Sequence, residues 1–237
     1  MNIILLRQND FCINDNNVSI TDHRFDHIQT VLKSKVGDRL KVGIIGGNRG
    51  YGTIKKIESD KVVMDVFLNK EPLSRHNFDI VLSLPRPKML RRILRTIAEF
   101  GVHRLHIVNS ARVEKSYWQS PLLKNEKIQD ALQTGMERSG DTIMTDVMLY
   151  KRFRPFVEDI LPKLCAHREC YLTDIDSQKS IKNLKSQDAV IIIGPEGGFV
   201  PFEIDLTTSV IANKINLGNR ILSVDTALTT VLAQALT

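Results

Sequence analysis

The feature that most constrains this chain is a pair of strand-to-glycine transitions near its C-terminus. Ala189–Ile193 is a β-branched run of the kind a fully buried strand requires, and it enters Gly194-Pro195-Glu196-Gly197-Gly198-Phe199. Lys214–Leu217 is a second short strand, and it enters Gly218-Asn219-Arg220-Ile221-Leu222. Glycine tolerates positive φ and lets a ligand reach bare backbone amides and carbonyls. Either loop alone reads as a tight strand-to-helix turn. Neither is a phosphate-binding P-loop, since no Gly-Lys-Ser/Thr follows, and neither is a dinucleotide GxGxxG. Ser223 or Asp225 can cap the helix that follows, and a carboxylate there is stabilising without any further role. Arg220 lies in the second turn, where it is either solvated or placed to hold an anion.

The preceding residues say what kind of sheet these loops cap. From Phe78 onward strands and helices alternate: Phe78–Leu84, Arg104–Val108, Thr145–Tyr150 and Glu169–Thr173 read as strands. Pro87–Phe100, Pro121–Arg138, Arg154–Leu164, Pro201–Thr208 and Asp225–Leu236 read as helices. That alternation predicts an α/β domain with a mainly parallel sheet, in which ligands sit beyond the carboxyl ends of the strands. The N-terminal part differs. Ile3–Leu6, Arg39–Ile45, Gly50–Ile57 and Lys61–Leu68 are short strands with tight turns between them, and Arg24–Lys33 has helical spacing, so a small β-barrel is predicted. The pattern changes around Glu71–Asn77, dividing the chain into residues 1–72 and 73–237.

Composition narrows the class. The 237 residues are 42% hydrophobic and 25% charged, which is ordinary globular content, and 33 Lys+Arg against 27 Asp+Glu give +6, suiting a polyanionic partner. Cys12, Cys165 and Cys170 are odd in number and lack CxxC spacing, so a reducing cytoplasm is expected, and no stretch is long and apolar enough for a membrane span.

The two glycine loops together carry a resemblance. Ile193-Gly194-Pro195-Glu196-Gly197-Gly198-Phe199, followed by Leu217-Gly218-Asn219-Arg220-Ile221-Leu222 and Asp225-Thr226-Ala227, resembles the 16S ribosomal RNA uridine-N3 methyltransferases of the α/β-knot (SPOUT) superfamily. Weaker likenesses run along the chain, in Asp26-His27-Ile28 to Val36-Gly37-Asp38, in Ala98-Glu99-Phe100-Gly101-Val102, and in Glu137-Arg138-Ser139-Gly140. The resemblance implies a PUA-like RNA-binding barrel before a knotted domain with a deep trefoil knot, a homodimer, and S-adenosylmethionine as cofactor. It implies that the cofactor meets Leu172 and Thr173, then Ile193 to Gly198, then Leu217, Gly218, Asn219, Ile221, Leu222 and Thr226. It also implies a small ribosomal subunit RNA as substrate.

Methylating uridine N3 requires loss of its proton, and a cation near O2 or O4 stabilises the charge that develops. Arg220 is assigned that task, with Asp225 or Glu196 positioning it or accepting the proton. Arg24, Lys33, Arg86, Lys88, Arg91, Arg92, Arg95 and Arg138 are the candidate RNA contacts. The run Arg86–Arg95 reads equally as a solvated helix face. Asp22-His23 with Asp26-His27, and Cys165-Ala166-His167 with Cys170, have ligand-like spacing but lack a complete ligand set, so no metal is expected. The chain departs from the family pattern at Asn219, Ser223 and Asp225, and at Thr96, Arg138 and Asp141. Those departures leave two alternatives open: a methyltransferase for another RNA, and an RNA-binding or ribosome-assembly paralogue without catalysis.

Overall fold

The structure is a computed structural model that describes residues 2–12, 16–184 and 188–234. The chain forms two compact units, Met1–Ser74 with Met136–Met144, and Arg75–Gly135 with Thr145–Thr237. The sequence boundary after residue 72 falls close to Ser74. Composition could not reveal that Met136–Met144 packs with the first unit, because that membership is set by contact across the chain.

The first unit is a mixed, five-stranded sheet of order β1-β3-β4-β5-β2. Its strands are β1 (Ile4–Leu6), β2 (Asn17–Ile20), β3 (Arg39–Ile44), β4 (Arg49–Ile57) and β5 (Val62–Lys70). β1 runs parallel to β3, and the other pairings are antiparallel. Alternation puts Val42, Ile54, Val62 and Met64 inside, where they meet Phe25 and Ile28. Those two come from α1 (His23–Asp26) and the π turn His27–Val31 that continues it. Gly50 is required by packing, because the Phe67 carbonyl occupies the space a Cβ would take.

Arg24 corrects one expectation. It is 3% exposed, and its guanidinium is held by Asp10, Asp22 and the Leu5 carbonyl at 2.6 to 2.9 Å. It is therefore an internal clamp and cannot face RNA. A buried guanidinium demands partners of this kind, and Asp10 lies too far away in sequence for local reading to supply it.

The second unit is an all-parallel, six-stranded sheet of order β11-β9-β10-β6-β7-β8. The strands are β6 (Phe78–Ser83), β7 (Arg104–Val108), β8 (Asp146–Tyr150), β9 (Glu169–Thr173), β10 (Ala189–Ile193) and β11 (Asn213–Ile215). The helices are α2 (Pro87–Glu99), α3 (Asn125–Ser139), whose residues from Met136 onward count with the first unit, α4 (Phe153–Pro155), α5 (Leu161–Leu164), α6 (Pro201–Val210) and α7 (Val224–Gln234). The expected helix from Pro121 is split, with a 3-10 turn at Pro121–Leu123 before α3, and the one from Arg154 contains a π turn at Phe156–Ile160. The last residues expected in the closing helix, 235 and 236, lie outside the described residues.

From β6 the chain steps outward to β7 and β8, then returns on the other side with β10 laid between β6 and β9. That reversal is a topological switch point, the place where such sheets open a crevice at their carboxyl edge. From the edge strand β11 the chain comes back to set α7 against β10 and α2. His76 fixes that return. Its Nδ1 accepts from the Phe78 amide at 3.0 Å, which leaves Nε2 to donate to the Leu232 carbonyl at 2.8 Å. This is the α/β architecture with a parallel sheet, preceded by a small β-rich unit, that the alternation of strands and helices predicted.

Candidate active site

The loops after β9, β10 and β11 meet around one cavity of about 440 Å³. Thr173, Asp174 and Asp176 come from the first loop, Gly194–Phe199 from the second, and Leu217, Gly218, Arg220, Ile221 and Leu222 from the third. Ile193, Ile204, Leu217, Leu222, Val224 and Ala227 give it apolar walls, and Arg112, Glu196 and Arg220 give it polar groups. That mixture suits a cofactor-sized ligand, which needs apolar faces and a few fixed polar groups.

Two of the loop glycines are tightly packed and two have positive φ. A Cβ on Gly194 would lie 3.2 Å from the Phe199 ring, and one on Gly197 would lie 3.1 Å from the Arg112 side chain. Gly198 and Gly218 have φ of +71° and +116°, backbone that side chains resist. Gly218 has nothing within 4 Å of its would-be Cβ, so bare backbone faces open space there.

Carboxylates set the loops. Glu203 at the start of α6 is buried, yet its Oε1 accepts from the Ala111 amide at 2.7 Å and its Oε2 from the Val200 amide at 3.1 Å. Glu196 accepts from the Arg86 amide at 3.0 Å, tying the glycine loop to the start of α2. Arg112 donates to the Gly197 carbonyl from the other side. Burial raises the Asp174 carboxyl, but Lys214 at 2.8 Å and the Asp176 amide outweigh it and hold the pKa below its usual value. Asp225 sits in the first turn of α7, where the Ser223 hydroxyl at 2.6 Å, opposed by partial burial and aided by Arg92 at 3.4 Å, lowers its pKa.

Most of the expected cofactor residues come together here, and three do not. Leu172 is fully buried in the sheet core, because strand alternation points it away from the cavity that Thr173 lines. Asn219 and Thr226 do not line the cavity either: Asn219 is exposed, and the Thr226 hydroxyl is engaged with Ser223 at 2.9 Å. Of the expected catalytic residues, Arg220 and Glu196 line the cavity, while Asp225 sits in the first turn of α7 beside it. Arg220 is exposed, and no ion-pair partner for it occurs among the described residues. Sequence reading missed Arg112, Asp174, Asp176, Phe199 and Glu203. The Pro201-Phe202-Glu203 start of α6, with an acid at its third position, was the available signal for Glu203. Nothing local singled out Arg112.

The expected RNA contacts of α2 divide. Arg86, Lys88, Arg91 and Arg92 are exposed, whereas Arg95 is half-buried. Lys33 is exposed and has a φ of 52°. No cluster of three or more potential metal ligands occurs among the described residues, and no helix among them is long and apolar enough to cross a membrane.

Residues 72–236 match the RNA methyltransferase domain, and residues 20–66 match the RNA methyltransferase PUA domain. The chain belongs to the RNA methyltransferase family. Within this family it is 31% identical to ribosomal RNA small subunit methyltransferase E of Treponema pallidum, over 96% of this chain and 87% of that protein. It is 26% identical to ribosomal RNA small subunit methyltransferase E 1 of Borreliella burgdorferi, over 96% and 94%. The small subunit methyltransferase E of Neisseria gonorrhoeae, solved bound to S-adenosyl methionine, shares the fold with a TM-score of 0.77. That match is at 17% identity and covers 100% of this chain and 96% of the other. A Legionella pneumophila methyltransferase, solved with the same cofactor, aligns at 0.74 with 19% identity, covering 100% and 97%.

Proposed function

We propose that this RNA methyltransferase uses S-adenosylmethionine to methylate N3 of a uridine in 16S ribosomal RNA, acting as a cytoplasmic homodimer. The cofactor is the one bound by the related structures, and the cavity here fits it in size, apolar walls and bare backbone. When bound, S-adenosylmethionine supplies an electrophilic methyl group with its own leaving group, so the protein's tasks are orientation and preparation of the nucleophile. Leu217, Leu222 and Ala227 would pack the adenine faces, and the backbone of the two glycine loops would meet its polar edges. Asp176 adds a carboxylate to the cavity lining that suits a sulfonium cation, while Asp174 is paired with Lys214.

Arg220 carries the proposal, because it is a cation without a carboxylate partner among the described residues, at the cavity of the two glycine loops. It would donate to O2 or O4 as N3 gives up its proton, stabilising the uridylate. Glu196, the other expected catalytic residue at the cavity, is the candidate proton acceptor. Asp225 would act as a positioning residue through Ser223 and Arg92. Ile221 is 90% exposed at the lip, an apolar side chain that a second copy of the chain would cover. Arg220→Ala should abolish methylation of 16S RNA, with cofactor binding by calorimetry largely retained. Wild-type turnover in that variant would refute the assignment, and a mass spectrum of ribosomal RNA from a deletion strain that keeps every 3-methyluridine fragment would refute the substrate.

A further inference from the structure

The outer face of β3, β4 and β5 combines an exposed and a half-exposed aromatic ring with a group of cations. Phe67 is 66% exposed in mid-strand, opposite Tyr51 in the β4–β5 register. Tyr51 in turn lies opposite Lys41. The Arg39 guanidinium lies 4.7 Å from the Tyr51 ring centre and the Lys70 ammonium 5.2 Å from it. Beside them is a hollow of about 410 Å³, with Lys41, Arg49, Lys70 and Arg138 in its lining and no carboxylate. Gly50 and Gly140 contribute bare backbone to it. Arg49 spends one donor on the Glu71 carbonyl, and the acid that shares this sheet face, Asp65, is paired with Lys55 at 3.5 Å.

A folding requirement does not explain this face. A phenylalanine exposed to that degree gains little from burial, and clustered like charges repel one another. Both features become favourable against a chain of phosphates that carries flat, unstacked bases. Stacking needs bases free of a duplex, and cations beside the rings meet the backbone that links them. We infer that this face is a stacking platform for single-stranded RNA, with Phe67 and Tyr51 receiving bases and Lys41, Arg49 and Lys70 receiving phosphates. It deepens the ribosomal RNA reading above by adding a contact to substrate in the first unit, at residues separate from the methyl-transfer cavity.

The test uses the full chain, a fluorescent single-stranded RNA of about a dozen nucleotides and a duplex of the same length. Phe67→Ala should weaken single-strand binding about tenfold, and Lys41→Gln with Lys70→Gln should reduce the salt dependence of binding by about two phosphate contacts. Cofactor calorimetry should be unchanged in both variants, which also reports that they are folded. Affinities within about twofold of the parent for both variants would overturn the inference. So would duplex binding as tight as single-strand binding, or Phe67→Ala dissociating a dimer while RNA affinity stays intact. A parent protein that binds this RNA but not S-adenosylmethionine would instead defeat the catalytic reading and leave the platform standing.

Discussion

Glu203 and Ala111 are joined by a 2.7 Å hydrogen bond from the Ala111 amide to a carboxylate that is 3% exposed. The contact ties the loop that carries Arg112 to the start of α6, whose preceding loop is the glycine turn. Glu203→Ala leaves two amides without this acceptor and should cost about 1–3 kcal/mol in urea denaturation. Cofactor affinity measured by calorimetry should fall as well, because Arg112 and Gly197 lose their common anchor. Unchanged affinity in a stable variant would show that the loop holds its shape without Glu203.

Gly218 is predicted to be intolerant of substitution for a reason unrelated to space. Its φ of +116° is costly for any side-chain-bearing residue, although a Cβ would touch nothing there. Gly218→Ala should weaken cofactor binding by about 1–3 kcal/mol through backbone strain. Equal affinity in calorimetry would mean that the loop relaxes freely.

His106 makes stability depend on pH. Burial beside Tyr150 and Phe156 pushes its pKa from 6.5 down to about 4, only partly offset by Asp79. Below pH 6.5 the unfolded chain takes up a proton that the folded chain refuses until about pH 4. The stabilisation is thus complete above that window and is lost as pH falls through it, by on the order of 3 kcal/mol. His106→Leu should flatten this part of the profile, as followed by denaturant unfolding at a series of pH values. A histidine-independent slope would assign the loss to other groups.

Arg24 should matter for folding and not for RNA. Arg24→Met strips Asp10 and Asp22 of their buried partner and should cost about 3–5 kcal/mol in denaturant unfolding. At a temperature where the variant stays folded, its affinity for RNA should match the parent's. A loss of affinity in a folded variant would return Arg24 to the RNA surface.

The sequence was most readable where side chains face one way only. Glu169–Thr173 and Ala189–Ile193 are strands with the bounds that their apolar runs suggested, because parallel strands covered on both faces have few alternatives. Asn17–Ile20 escaped notice because it is only four residues long, although its polar and apolar residues alternate and the apolar pair Val18 and Ile20 is buried. The glycine loops were legible because glycine marks backbone geometry, and backbone geometry shapes the cavity. Arg112 and the true place of Arg24 were not legible, because each is defined by a partner far along the chain. Leu172, next to Thr173 in sequence, has its side chain on the opposite face of the same strand, in the core.

Thr142 belongs to the segment Met136–Met144 that packs with the first unit, where its hydroxyl donates to the Gly47 carbonyl at 2.6 Å and its carbonyl accepts from the Gly46 amide at 2.8 Å. On the ribosome that segment emerges only after β6, α2 and β7 have been made. The first unit is therefore finished late, by a piece cut from the middle of its neighbour's sequence. A chain arrested before Met144 would hold a first unit still waiting for its last part, and no single cut can release the two units intact.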